Sequence, residues 1–177
     1  MGTGDKLGTI LVALLAAIAG YTDWRFRRIP NWLTLPAMAL GIAVNAYFLG
    51  WAGVRSSLLG AGLGLLLLLP FVLLHSLGAG DWKLVGAAGA FLGPQKLLAV
   101  LLVAFLVAGA MALGLVIWKG RVRQTVRNLG RMAGALFSMH LPGPEVSLES
   151  PESLKIPFGV AVAIAVILYS AGQFWKA

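Results

Sequence analysis

The sequence has no cysteine and few acidic residues. Among its 177 residues, Asp and Glu together number 6, against 14 Lys and Arg. The absence of cysteine excludes disulfides, thiolate metal ligands and a thiol nucleophile. Charged residues make up only 11% of the chain, whereas they are roughly 25% of a soluble domain. The composition therefore excludes an ordinary water-soluble domain.

The sequence consists largely of long apolar runs. Hydrophobic residues make up 59% of the chain, and several runs approach the ~20 residues that a helix needs to cross a hydrocarbon core. We therefore expect an all-α, polytopic integral membrane protein with one membrane-embedded domain over residues 1–177. The net charge of +8 is typical of basic loops beside membrane helices. The lipid bilayer is thus the expected partner, and nucleic acid is not.

The apolar runs and the breaks between them predict six transmembrane helices. We expect them over residues of about 7–22, 33–50, 54–77, 82–92, 96–118 and 156–169. The fourth is short and rich in Gly and Ala, which favours a place inside the bundle. With the N-terminus outside, most Lys and Arg residues fall on the inner side, as the positive-inside rule requires. Residues 119–155 then form a basic, amphipathic cytoplasmic loop.

Two acidic residues lie at the ends of predicted membrane helices. Asp23 ends the first apolar run, and Asp81 follows Gly78-Ala79-Gly80. Ionisable groups near hydrocarbon are costly and are usually functional. Because two predicted helices separate Asp23 from Asp81, both carboxylates fall on the same membrane face. We expect them to meet.

A pair of neighbouring carboxylates can act as acid and base together, because only one of them ionises readily. The charged carboxylate takes a proton from water, the water attacks a peptide carbonyl, and the protonated carboxyl donates to the oxyanion or the leaving amine. This chemistry requires no metal, no cofactor and no nucleophilic side chain. Gly78 and Gly80 permit close approach of backbone or substrate. Asp23 and Asp81 are therefore the candidate catalytic residues of an intramembrane aspartyl protease.

Simpler roles remain open for the same residues. Asp81 is able to cap a helix, Asp23 to pair with a neighbouring arginine, and Lys83 to tune the carboxylates or to anchor the inner membrane face. Two other functions also remain open, namely a small proton- or ion-coupled transporter subunit and a non-catalytic subunit of a pilus or secretion assembly. His75 has no Ser or Cys nucleophile pattern beside it, so we expect an interfacial histidine there.

Two motifs resemble those of the type IV prepilin peptidases, membrane aspartyl proteases of the GxGD class. The first is Thr22-Asp23 followed by Arg27-Arg28-Ile29-Pro30-Asn31, and the second is Gly78-Ala79-Gly80-Asp81-Trp82-Lys83-Leu84. A looser third similarity is Ile156-Pro157-Phe158-Gly159. The resemblance implies that Asp23 and Asp81 form the catalytic pair. It also implies a set of residues that bind substrate or shape the site: Gly78, Gly80, Lys83, Pro157, Phe158 and Gly159.

The resemblance implies an aspartic endopeptidase that removes the short basic leader from prepilins or pseudopilins at the cytoplasmic face of the cell membrane. Long members of the family carry a cysteine-bearing insert between the first two helices and also methylate the new N-terminus. Here a short turn separates those helices, so the resemblance is to the compact form without methyltransferase activity, as in tight-adherence pilus or archaeal preflagellin peptidases. Glu145, Glu149 and Glu152 are expected to attract the basic leader.

Overall fold

The structure is a computed structural model that describes residues 2–73, 77–123, 125–127 and 157–175. Within these ranges the chain is helical and contains no strand. The helices are α1 (Thr3–Phe26), α2 (Asn31–Leu73), α3 (Ala79–Trp118) and α4 (Phe158–Trp175). The first three are long and apolar enough to cross a membrane. The chain is therefore an all-helical protein of the predicted membrane type, while the count of six crossings stays a prediction.

Two of the helices are interrupted by a glycine with a positive φ angle. Gly50 in α2 has φ 57° and ψ −139°, and Gly93 in α3 has φ 73° and ψ 173°. Side chains disfavour these angles, whereas glycine adopts them freely. At Gly50 the chain folds back on itself, since Asn45 Nδ2 donates to Ser57 Oγ at 2.8 Å across the turn. Both interruptions fall where the sequence predicted a break between helices.

The segment of α3 before Gly93 is the buried centre of the helix bundle. Every residue from 84 to 93 is buried, and this segment packs on the second half of α2 through small residues. A β carbon on Gly60 would meet the carbonyl oxygen of Gly89 and lie 2.8 Å from Gly93 Cα. A β carbon on Gly64 would lie 3.1 Å from Val85 O. The glycines thus allow the two backbones to touch, as small-xxx-small spacing does elsewhere.

Helices α1 and α4 pack side by side. Gly20 of α1 lies so close to α4 that a β carbon there would be 2.7 Å from Ala163 Cβ. The buried side chains of this interface are small or β-branched, such as Ala16 and Ala19 on α1 and Val162 on α4. The contact of Gly20 with Ala163 places the end of α1 beside the beginning of α4.

The helix ends differ from the predicted ends by a few residues. Helix α1 continues through Asp23 to Phe26, and α3 begins at Ala79, so that both aspartates lie inside helices. Helix α2 begins at Asn31, and the N–H groups of Leu33 and Thr34 donate to Pro30 O at 3.1 and 3.4 Å. The predicted ends followed the apolar residues, but backbone hydrogen bonds continue the helices into polar sequence.

The chain divides into two compact units, residues 1–107 with 157–177 and residues 108–156. The first unit contains α1, α2, most of α3, and α4. In the second, the end of α3 is followed by a turn at Gly120, and the N–H of Thr125 donates to Arg121 O at 2.9 Å. Most of the predicted 119–155 loop, with its three glutamates, and also His75 lie outside the described residues.

Candidate active site

Asp23 is a buried carboxylate in the last turn of α1. Its side chain is 6% exposed, and its Oδ2 accepts a hydrogen bond from the backbone N–H of Val160 at 3.3 Å. Gly159 allows α4 to come this close, since a β carbon there would lie 2.8 Å from Asp23 Oδ2. Helix α1 ends at Phe26, and the next residue, Arg27, adopts the left-handed conformation and donates its N–H to Asp23 O at 2.8 Å. Asp23 is thereby fixed between a helix end and α4.

Asp81 lies in the first turn of α3, where the N–H of Trp82 donates to Gly78 O at 3.2 Å. Gly78 leaves room for this carboxylate, because a β carbon on Gly78 would lie 3.0 Å from Asp81 Oδ2. Asp81 Oδ1 is buried and has no hydrogen-bond partner among the described residues. A buried polar atom without a partner costs roughly 1–3 kcal/mol. Such an oxygen is suited to bind a group that enters the site.

The beginning of α4 supplies backbone donors to both carboxylates. The N–H of Gly159 interacts with Asp23 and also with Asp81, while Val160 donates to Asp23. The first N–H groups of a helix have no acceptor within the helix and carry partial positive charge. The start of α4 therefore joins the two carboxylates in one site and favours negative charge there.

The turn between α1 and α2 packs tightly against the glycines of the site. A β carbon on Gly80 would lie 3.0 Å from Ile29 O and 3.1 Å from Ile29 Cβ, and one on Gly159 would lie 2.7 Å from Ile29 Cδ1. Ile29 is buried as a result. It contacts the beginning of α3 and the beginning of α4. The contact with the Ile29 backbone explains why a small residue is needed at position 80.

Lys83 connects α3 to the beginning of α2. Its Nζ donates to Asn31 Oδ1 at 2.9 Å, at the surface of the protein. The sequence left open whether Lys83 tunes the carboxylates or anchors a membrane face, and its hydrogen-bond partner here is a neutral amide. The Asn31 side chain therefore bonds to Lys83, and the carbonyl of Pro30 accepts the first N–H groups of α2.

Both carboxylates line one open cavity of about 420 Å³. Its lining consists of Asp23, Arg27, Arg28, Ile29, Pro30, Asn31, Gly78, Ala79, Gly80 and Asp81. The volume falls within the roughly 300–1,000 Å³ that is usual for ligand sites. The charges of the two carboxylates act on one another, and Arg27 acts on Asp23. The site is thus an open, charged cavity with two interacting carboxylates.

This arrangement is suited to acid and base chemistry on a substrate that reaches the cavity. Two interacting carboxylates hold one proton more readily than none or two. A water molecule between them is able to lose a proton to one carboxylate while the other donates a proton to the substrate. No group of three His, Asp or Glu side chains suited to a metal ion occurs within the residues that the structure describes.

The structure brings four of the predicted site residues to the cavity and leaves four beside it. Asp23, Gly78, Gly80 and Asp81 line the cavity, whereas Lys83 and the Pro157-Phe158-Gly159 element do not. The Phe158 ring instead packs on the Phe105 ring, with centroids 5.7 Å apart. Pro157 directly precedes α4, and its carbonyl accepts the N–H of Val160 at 3.2 Å. This element therefore supports the site through the backbone of Gly159.

The list of predicted site residues omitted part of the cavity wall. Residues 27–31, together with Ala79, line the cavity although no role was assigned to them. The signal was present in the sequence, because these residues belong to the two motifs that contain the aspartates. A turn that follows a buried carboxylate within a few residues is held near it by the chain itself.

The fold and site define a class, namely helical membrane-type proteins with a paired-carboxylate site. Within that class the sequence matches one family. The sequence model described as the type IV leader peptidase family matches residues 10–113, a range that contains both Asp23 and Asp81. The chain belongs to the type IV leader peptidase family. This membership confirms the resemblance indicated by the motifs.

Individual relatives carry the words leader peptidase in their names. The chain is 40% identical over 122 residues to a prepilin leader peptidase/N-methyltransferase of Burkholderia pseudomallei, a match covering 64% of this chain and 38% of the relative. For the proteins of that name from Aeromonas hydrophila and Escherichia coli K12, identity is 34% over 123 and 38% over 91 residues. These matches cover 66% and 48% of this chain, and 42% and 40% of the relatives.

The matches therefore extend over about two fifths of the length of these relatives. No solved structure matches the chain. The family of the chain therefore rests on the sequence model that matches residues 10–113, and the geometry of the site comes from the present structure.

Proposed function

We propose that the chain is an aspartic endopeptidase that removes the short basic leader from prepilin or pseudopilin-like precursors within the membrane. The observation that carries this proposal is the cavity shared by Asp23 and Asp81, which come from two different helices. Family membership supports it, because the matched range contains both residues. A relay site in a transporter would place its carboxylates deeper in the helices than the last and first turns where these two lie.

In the proposed reaction, Asp23 and Asp81 together hold one proton. The ionised carboxylate accepts a proton from water as the water oxygen attacks the scissile carbonyl carbon. The protonated carboxyl donates to the oxyanion, and collapse of the tetrahedral intermediate breaks the C–N bond while a proton passes to the leaving amine. The N–H of Gly159 stabilises the carboxylate that carries negative charge at each stage.

We further propose that the chain crosses the membrane six times with the N-terminus outside and the site at the cytoplasmic face of the cell membrane. The distribution of basic residues supports this orientation, since it leaves only Lys6, Arg55, Lys96 and Lys176 outside. The breaks at Gly50 and Gly93 divide α2 and α3 at places where such crossings would reverse. The single domain and its cytoplasmic 119–155 loop belong to the same proposal.

The proposed substrate is a precursor whose basic leader precedes an apolar helix. The apolar helix would lie in the bilayer beside α1 and α3, and its junction with the leader would reach the cavity at the membrane surface. The compact chain lacks cysteine and has a short turn between α1 and α2. We therefore propose leader cleavage without the N-methylation that appears in the names of the long relatives.

The proposal is tested by a cleavage assay in proteoliposomes. A prepilin-type substrate is mixed with the wild type, Asp23→Asn or Asp81→Asn, and the products are measured by mass spectrometry. Because each variant removes an acid or base, we expect cleavage to fall by at least ~10²–10⁴-fold in both. Thr22→Val is the matched control, since the Thr22 hydroxyl donates to Ala19 O of its own helix, at 2.9 Å, and Thr22 does not line the cavity.

Each variant is also checked for intact folding by its elution from a sizing column and its melting temperature. Loss of cleavage in both aspartate variants, with cleavage retained in Thr22→Val, would establish the peptidase and its catalytic pair. Cleavage by both aspartate variants at the wild-type rate would refute the proposed mechanism and direct attention to a non-catalytic assembly role.

A further inference from the structure

A second cavity, of about 520 Å³, lies at the end of the bundle away from the carboxylates. Asp5 lines it and is 18 residues from Asp23 on the same helix, a separation of roughly 27 Å at ~1.5 Å per residue. The cavity also includes both glycine turns, near residues 50 and 93. It is therefore a separate feature from the candidate active site.

The polar side chains that line this second cavity carry a net positive charge. They are Asp5, Asn45, Arg55, Ser56, Gln95 and Lys96. Lys96 Nζ lies 2.9 Å from Asp5 Oδ1, so these two charges neutralise each other. Arg55 has no hydrogen-bond or ion-pair partner in the described part of the chain. The cavity is thus left with one uncompensated cation.

The lining of the second cavity also contains exposed apolar side chains. Leu49 and Leu59 line it and are 59% and 64% exposed. In a protein of this type, exposed leucines on long apolar helices face lipid chains. Arg55 lies between these two leucines in sequence, near the turn where α2 reverses. A ligand would therefore meet a cation and a hydrocarbon-facing surface together.

Asn45, another lining residue of the second cavity, connects the two halves of α2 and bonds α2 to α3. Its Nδ2 group donates to Ala90 O at 3.0 Å, Phe91 O at 3.1 Å and Ser57 Oγ at 2.8 Å. The two carbonyls belong to the last turn before the kink at Gly93, where Pro94 has no N–H to donate to Ala90 O. Asn45 thus connects α2 to this end of the helix segment, beside the second cavity.

We propose that the second cavity binds the phosphate group of an anionic phospholipid, with Arg55 pairing with the phosphate and Leu49 and Leu59 contacting the acyl chains. An Arg guanidinium forms strong charge-assisted hydrogen bonds with phosphate oxygens. A lipid with one negative charge matches the one uncompensated cation, and a zwitterionic lipid leaves an additional positive group near Arg55. Inorganic phosphate offers the same oxygens without the acyl contact.

The test uses native mass spectrometry of the full chain in detergent, with its bound lipids resolved by mass. The probes are dioleoylphosphatidylglycerol, dioleoylphosphatidylcholine and inorganic phosphate. The variants are Arg55→Gln, Arg55→Lys and the matched control Arg25→Gln. Arg25 lies in the last turn of α1, far from the second cavity, so this control removes one positive charge elsewhere in the protein. We expect the wild type to retain phosphatidylglycerol in preference to phosphatidylcholine, and Arg55→Gln to weaken this binding about tenfold.

The control and the rescue variant decide the outcome. Binding of phosphatidylglycerol within about twofold of wild type in Arg25→Gln, and partial recovery in Arg55→Lys, would support the assignment to Arg55. Equal binding by wild type and Arg55→Gln, or equal loss in Arg25→Gln, would overturn it. Displacement of the lipid by millimolar phosphate would overturn the acyl contact and leave a simple anion site. These measurements do not depend on peptidase activity.

Discussion

Substitution of Gly159 by alanine should impair the active site while leaving the fold intact. Gly159 lies at the beginning of α4, where its backbone N–H interacts with both carboxylates. An added β carbon would lie 2.8 Å from Asp23 Oδ2 and 2.7 Å from Ile29 Cδ1. The Ile29 contact is with the tip of a flexible side chain and is easily relieved. The contact with the Asp23 carboxylate is not, because Val160 also holds that carboxylate.

The size of the displacement follows from these distances. Ordinary β-carbon contacts begin near 3.4 Å, so Asp23 or the start of α4 must move by about 0.6 Å, the difference between 3.4 and 2.8 Å. A misplacement of ~1 Å in a catalytic group costs on the order of 10²-fold in rate. We therefore expect cleavage to fall roughly 10- to 100-fold, mainly in kcat. Inserting one carbon into a packed site typically lowers the free energy of unfolding by about 1–3 kcal/mol.

The assay compares cleavage kinetics and melting temperature for the wild type, Gly159→Ala and Gly172→Ala. Gly172 is the matched control, because it lies on the same helix and a β carbon there meets nothing within 4 Å. Gly172→Ala should cleave at the wild-type rate. Wild-type cleavage by Gly159→Ala would refute the geometry inferred for the start of α4. If the lower rate of Gly159→Ala came entirely from unfolded protein, the prediction that this variant loses activity while folded would be wrong.

The remaining predictions concern the packing that supports the site. Gly60→Ala should lower the melting temperature, because its β carbon would meet backbone atoms of Gly89 and Gly93, whereas Gly62→Ala, with nothing within 4 Å, should raise it through better helix propensity. Thermal unfolding followed by tryptophan fluorescence measures both, and shifts of the same sign would contradict the proposed contact. Asn45→Leu should destabilise the fold by about 2–3 kcal/mol, because two buried carbonyls lose their donor. Denaturant unfolding in detergent measures this effect, and an unchanged midpoint would contradict it.

The sequence was sufficient to predict the class of the fold and the pairing of the two aspartates on one face. A helix can cross a membrane when its apolar run is long enough and carries little charge. Both properties can be read from a short window of sequence. Because an even number of predicted helices, two, lies between Asp23 and Asp81, both carboxylates were predicted at the same end of the bundle. The breaks near Gly50 and Gly93 were also visible locally, because Gly and Pro interrupt apolar runs there.

Helix ends and side-chain partners could not be predicted in the same way. Asn31 has the side chain of an N-cap, yet it accepts from Lys83, which is distant in sequence. Asp81 was expected to precede a helix and instead lies in its first turn. In each case a backbone or tertiary hydrogen bond decided between local conformations of similar energy.

By itself, the sequence determined that this is an all-helical protein of membrane character with two carboxylates at helix ends, because hydrophobicity and helix periodicity act within each segment. Only the tertiary structure decided that α4 brings Gly159 and Val160 to Asp23, that Ile29 packs against Gly80, and that Arg55 lines a cavity with no partner among the described residues. These features depend on distances between helices. Such distances are set by which small residues allow backbones to touch, and that is a property of pairs of segments rather than of any one of them.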